Sequence, residues 1–331
     1  MKIVSRLLPI LLVMLFASAA AMGQAQHRRY PVDSLMKVLS RQGDTKRWVQ
    51  EADAIYKAAH INGQQLSKNA FRIAYLEKRL LDTKPAGDSV LRAAIEIYSP
   101  TQLITVVDFT RKGNLQRLMV IDLGKRRVLH RSLVAHGSAK GKNSKEEVPC
   151  FFSNRDSSNS SNLGMLLAGV AEQPESICHL CKYFLNKPHP CARLLTGIEK
   201  GINDNAVQRE IILHTTGSRD FSDSASLSRI NTMVQLKNFD TAYRNTGCNC
   251  ITAPGRASPA YASACGIREN RGYIGRSLGC LALPEEQHMA IMAALKTGSL
   301  VFIYSDAITD GGTNYFEESD LVKQLVALSE L

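Results

Sequence analysis

Residues 102–137 read QLITVVDFTRKGNLQRLMVIDLGKRRVLHRSLVAHG. Leu103 through Phe109 is apolar and β-branched, which suits a buried pleated strand better than a helix. Lys112-Gly113-Asn114 is a turn signal, and Leu118 through Ile121 follows as a second strand. Leu123-Gly124-Lys125 marks a second turn before a third strand, Val128 through His136. Two tight hairpins in succession predict an antiparallel meander.

Upstream the apolar period changes to that of a helix. Leu35, Val38 and Leu39 follow the cap residues Asp33 and Ser34. Ala52, Ile55, Tyr56 and Ala59 repeat the spacing, and Phe71, Ala74 and Tyr75 share one face of a third stretch after Ser67. Gly63 and Lys84-Pro85-Ala86-Gly87 punctuate two or three such helices. Trp48 falls within them and reads as a packing residue rather than a sugar platform. Downstream, residues 137–162 read as a long functional loop rich in Gly, Ser, Asn and Lys. Leu163–Leu167, Ile211–Leu213 and Leu300–Tyr304 read as buried strands. Residues 217–275 read as polar and loop-like. Pro284–Leu295 reads as a helix whose Glu285 and Glu286 suit its positive N-terminal end, and Ser319–Leu331 as one last helix. There is no internal repeat.

The chain has 331 residues, of which 44% are hydrophobic, enough for one catalytic domain plus a smaller element. Lys2 and Arg6 precede an apolar run, Leu7–Ala17, that is short for a membrane span and is followed by small residues. This reads as a signal peptide over 1–23, with Ala21-Met22-Gly23 as the cleavage signal, Gly23-Gln24-Ala25 as a second option and an uncleaved anchor as the alternative. The expected destination is the periplasm or cell envelope, with no stable membrane insertion after cleavage. The formal charge of +11 falls by two when Lys2 and Arg6 leave. Export removes nucleic acid as a partner and leaves anionic envelope polymers, or a generally basic surface with no dedicated partner.

Eight cysteines are many for this length, and an oxidising compartment makes disulfides the default. If one is a nucleophile, seven remain, so at least one more is unpaired or bound to something else. Cys178-His179-Leu180-Cys181 with Cys191 has zinc-like spacing, and Cys248, Cys250 and Cys265 could complete it. The same cysteines could instead form disulfides.

Three local signals carry chemistry. Gly275-Arg276-Ser277-Leu278-Gly279-Cys280 puts a cysteine after a small turn whose backbone N–H groups can line an oxyanion hole. Ile211-Ile212-Leu213-His214 ends an apolar strand on a histidine, placed on a rim where an imidazole can take a proton from a thiol. Val134-Ala135-His136-Gly137 ends another strand the same way. Each alone also fits a structural cysteine or an ordinary polar rim residue. Paired, they fit a thiol with its base.

From roughly Ile95 to Tyr304 the chain resembles the murein L,D-transpeptidase catalytic domain family. The pieces that carry the resemblance run in order. They are Ile104–Phe109, Arg117–Leu123, Val134–Gly137, Phe152-Ser153-Asn154, Ser160–Gly164, Gly197–Ala206, Ile211–His214 and Gly275–Cys280. The resemblance implies an α+β protein whose mainly-β, sandwich- or barrel-like catalytic domain spans about 91–306, after a helical segment over 24–90 and before a tail over 307–331. It implies Cys280 as nucleophile and His214 as its base, with Ser277 and Gly279 shaping the oxyanion turn. The partner implied is the peptidoglycan stem peptide, and neither metal nor organic cofactor is needed. The implied reaction is acyl transfer: Cys280 displaces a terminal D-alanine from a tetrapeptide stem, and an amine of a neighbouring stem resolves the thioester. Water in place of the amine would give L,D-carboxypeptidase or other amide-hydrolase activity. A third reading keeps the fold as a non-catalytic stem-binding module.

Against the family pattern, Thr215-Thr216-Gly217 follows His214, Leu281 stands where proline is common, and Val148-Pro149-Cys150-Phe151 replaces the usual approach to Phe-Ser-Asn. A cysteine-bearing insertion over about 217–272 parts base from nucleophile and could act as a lid. His136 and Arg276 are candidate substrate contacts, the guanidinium suiting a stem carboxylate, and each reads equally as a surface residue.

Overall fold

The computed structural model describes residues 28–83, 98–113, 115–137, 148–169, 192–215, 234–237, 273–277 and 279–331. The segment read as a signal peptide lies outside them, as do Cys178, Cys181, Cys191, Cys248, Cys250 and Cys265.

The predicted meander forms β1 (Leu103–Asp108), β2 (Leu118–Asp122) and β3 (Arg127–Ser132), each antiparallel to the next. β1 and β2 are buried along nearly their whole length, which explains why their sequences are apolar runs and not alternations. Five more strands complete the sheet: β4 (Gly164–Ala168), β5 (Ala192–Gly197), β6 (Ile212–Thr215), β9 (Leu281–Leu283) and β10 (Ser299–Tyr304). The order is β3-β2-β1-β10-β4-β5-β6-β9, with parallel pairs at β1–β10 and β6–β9. Beyond β3 the chain meets the opposite edge, where Ala135 N–H donates to the Ala282 carbonyl at 2.9 Å. That contact nearly closes the sheet into a barrel.

The stretch 217–275, expected as loop throughout, contains β7 (Val234–Lys237), which pairs antiparallel with β8 (Tyr273–Ser277). Four and five residues are too short to raise a period-two signal within polar sequence.

Three helices precede the sheet: α1 (Val32–Leu39), α2 (Gly43–Ala58) and α3 (Lys68–Thr83). α3 packs on β1 and β10, and Leu39, Trp48, Leu66, Phe71, Ile73 and Leu76 are buried in the same core as the strands. Burial on that scale, about 1.5–3 kcal/mol for each large apolar side chain, makes the helices part of the barrel's support. α4 (Glu285–Ala294) starts after Pro284 and packs on β3 and β6. The chain ends in α5 (Tyr315–Glu318) and α6 (Asp320–Leu328). Ser319 caps α6 by accepting from Val322 N–H, and α6 buries Leu321, Val322 and Leu325 against α1, α2 and α3. The start of the described chain is tied to the same end: Tyr30 N–H donates to Asp306, and the Tyr30 and Phe316 rings stack at 5.0 Å.

Candidate active site

β6, which carries His214, pairs with β9, the strand that follows Cys280. In their parallel register His214 lies opposite Ala282, and Leu213 opposite Leu281. Cys280 immediately precedes β9, two residues before Ala282. The sequence suggested a rim position for His214. Instead it is fully buried, because β6 is an interior strand with β5 on one side and β9 on the other.

Cys280 is 6% exposed. Its Sγ donates to the Glu210 carbonyl at 3.5 Å, the geometry of a neutral resting thiol. Burial pushes the thiol up to about 11, opposed by the backbone N–H of Ile212, the charge of Arg209 and the N–H of Cys280 itself. A base is therefore needed to make the thiolate near neutral pH.

The turn before the cysteine is fixed from within. Ser277 Oγ donates to the Cys280 carbonyl at 2.6 Å and accepts from Gly279 N–H at 3.1 Å. Gly279 N–H is thus occupied, and the backbone donors aimed at the sulfur are those of Cys280 and Ile212. Gly279 has φ of +118°, and a Cβ there would stand 2.9 Å from Ile211 Cδ1 and 3.0 Å from the Ser160 carbonyl. Only glycine lets the segment 152–163 come that close.

That segment forms the opposite wall. Ser161 Oγ donates to the Gly279 carbonyl at 3.2 Å and accepts from Gly137 N–H at 2.8 Å. His136 is buried; its Nδ1 lies 2.7 Å from the Gly137 carbonyl and its own carbonyl accepts from Ser277 N–H at 2.5 Å. Buried Arg117 braces the same strand end through the Val134 carbonyl, at 2.9 Å. His136 therefore sits beside the cysteine turn. The backbone of Arg276 lies in β8, opposite Gln235, and its side chain is outside the description.

A second network lies behind this wall. Asn162 Nδ2 donates to Asn154 Oδ1 at 2.9 Å, and Asn154 Nδ2 donates to Asp204 at 2.6 Å. Asn203 Oδ1 accepts from Glu199 N–H, and its Nδ2 donates to the carbonyls of Leu163 and Met165. Asn154 and Asn162 fall in the stretch read as a loop and Asn203 and Asp204 in a segment that carries the family resemblance; their partners are remote in sequence, so spacing could not reveal the network.

Among the described residues, no helix is long and apolar enough to cross a membrane. No curated protein and no solved structure matches the chain. A family model described as an L,D-transpeptidase catalytic domain matches residues 86–251, a span that contains His214 and ends before the Ser277–Cys280 turn. The match covers half the sequence and agrees with a nearly closed, mainly-β sheet in which the strand of His214 pairs with the strand that follows Cys280. The chain therefore belongs to the L,D-transpeptidase catalytic domain family.

Proposed function

We propose that the chain is a peptidoglycan L,D-transpeptidase of the cell envelope, with Cys280 as nucleophile and His214 as general base. Membership of the family supports a peptidoglycan transpeptidase-type function. The single observation that carries the finer reading is the β6–β9 register, which sets the imidazole strand beside the strand that follows the thiol.

The thiol proton passes from Cys280 to His214, and sulfur attacks the amide carbon that joins the L-centre of a diamino acid to D-alanine. Charge on the carbonyl oxygen meets the backbone N–H groups of Cys280 and Ile212. The C–N bond breaks, the imidazolium protonates the departing amine, and a thioester remains. A stem amine then attacks the thioester and returns the proton and the thiol.

The test is incubation with tetrapeptide muropeptides, with and without an acceptor amine, against a Cys280→Ala variant. Cross-linked dimer that appears only with intact Cys280 supports transfer. Tripeptide alone, even with acceptor present, replaces transfer by L,D-carboxypeptidase hydrolysis. Unchanged muropeptides overturn the reading for this substrate.

A further inference from the structure

Arg209 stands between β5 and β6, half-buried, immediately before the Glu210 carbonyl that receives the thiol. Its Nη1 donates to the Ser153 carbonyl and to Asn162 Oδ1, both at 2.7 Å. Its Nη2 donates to the Ser160 carbonyl at 2.6 Å and to Ser158 Oγ at 3.1 Å. One guanidinium thus gathers the whole segment that walls the cysteine turn.

All four acceptors are neutral, so none of them cancels the charge. The geometry also aims that charge. Nη2 lies 3.4 Å from where a Gly279 Cβ would be, one residue before the nucleophile. The same Ser160 carbonyl that Arg209 holds is the one pressed against Gly279. Charge on the Cys280 sulfur in turn favours the charged form of Arg209, opposing the burial that lowers its affinity for a proton.

We infer that Arg209 is a positioning residue for acyl transfer: it pins residues 153–162 against the cysteine turn and supplies the fixed positive charge that favours the Cys280 thiolate. The inference rests on the reading of Cys280 as nucleophile. Arg209 keeps its proton throughout; the thiol proton goes to His214, and the cation offsets the charge left on sulfur until that charge moves to the carbonyl oxygen. Besides Arg209, the charged group that acts on the sulfur is Glu210, and Asp156 in the facing segment acts on Arg209 itself, favouring its charged form. Glu210 carries the opposing charge, and its side chain is exposed, where water screens it.

The test measures thiolate formation without any acyl donor. The full-length chain and its R209Q and R209K variants are alkylated with iodoacetamide across a pH series, and the peptide bearing Cys280 is read by mass spectrometry. Thermal melting is followed in parallel. In R209Q the alkylation rate below the midpoint should fall about tenfold, the midpoint rising by about one pH unit. R209K keeps the charge but loses the fork, so it should melt lower while its rate stays within about threefold of the parent. An R209Q rate and midpoint equal to the parent's overturn the inference. So does an R209K midpoint that rises by the full unit, a result that decides the question even if R209Q does not fold. Muropeptide turnover is scored separately. A chain that alkylates as expected yet leaves muropeptides unchanged defeats the transpeptidase reading and not the role of Arg209.

Discussion

Glu77 on α3 and Glu199 after β5 share one buried pocket, and replacing Glu199 by Gln should remove a defined part of the protein's pH dependence. The Tyr315 hydroxyl hydrogen-bonds Glu77 Oε1 and lies 3.4 Å from Glu199 Oε1, while Ser319 Oγ donates to Glu199 Oε2. Burial raises Glu199 from the ordinary 4.5 to about 7, against hydrogen bonds from Ser319, Met165, Leu321 and Tyr315. Burial, then the charge of Glu199, hold Glu77 well above 4.5 too. A carboxyl raised by folding stabilises the fold fully below its unfolded value, and that stability is lost as pH rises through the folded value. For Glu199 the window runs from 4.5 to about 7, and at about 1.4 kcal/mol per pH unit the loss is about 3 kcal/mol. Glu199→Gln keeps the shape and stays neutral. Parent and variant should therefore be similar in stability at about pH 4, and the variant should be more stable by about 3 kcal/mol at about pH 8. Urea unfolding at each pH can be followed by the fluorescence of Trp48, the single tryptophan, which is buried on α2. Parallel stability curves for the two proteins from pH 4 to 8 would refute the reasoning, because they would mean that Glu199 ionises alike in folded and unfolded chains.

Gly279→Ala should cost about 1–3 kcal/mol from its backbone angle alone, and more from the contacts with Ile211 and Ser160. Thermal melting reads the first effect, and the rate of Cys280 acylation should fall because the facing wall must retreat. Ser277→Ala removes two hydrogen bonds inside the turn and should lower stability by about 1–3 kcal/mol. It should also slow acylation more than it changes the alkylation midpoint of the thiol, since Ser277 orders the turn and carries no charge; a shifted midpoint with unchanged acylation would contradict that role.

Much of the fold was legible because its central elements are long and strongly patterned. β1, β2, β4, β10 and α4 fall within a residue or two of where apolar period and turn residues put them; the two or three expected helices are three, and the third strand, expected to run to His136, ends at Ser132. The last helix expected from Ser319 begins at Asp320, whereas Asp33 and Ser34, read as caps, lie inside the first helix, whose N-cap is Pro31. β9, with three residues, and β5, with one short apolar pair, carried too little pattern to be seen. The parallel pairing of β6 with β9 is non-local and no local signal encodes it, although that register sets the His214 strand beside the strand that follows Cys280. The candidate pair itself was visible only through an ordered series of matching segments. Arg209 and the Glu77–Glu199 pocket were hidden for one physical reason: a guanidinium or a buried carboxyl is defined by its acceptors, and these come from segments far apart in the chain. The 307–331 stretch, read as a tail, places Tyr315 and Ser319 in that pocket. It thereby links the chain's end, through Glu199 and Asn203, to the wall of the site.

On the proposed reading, Cys280, activated by His214, accepts an acyl group from a stem peptide. The most direct measurement is intact-protein and peptide-level mass spectrometry after rapid acid quench of the chain with a tetrapeptide stem. A thioester on the peptide bearing Cys280, its mass matching a tripeptide acyl group, should form as D-alanine is released. The adduct should be absent in Cys280→Ala and slowed by about 10²-fold or more in His214→Gln at neutral pH. D-alanine released with no adduct on Cys280, at a rate unchanged in Cys280→Ala, would contradict it.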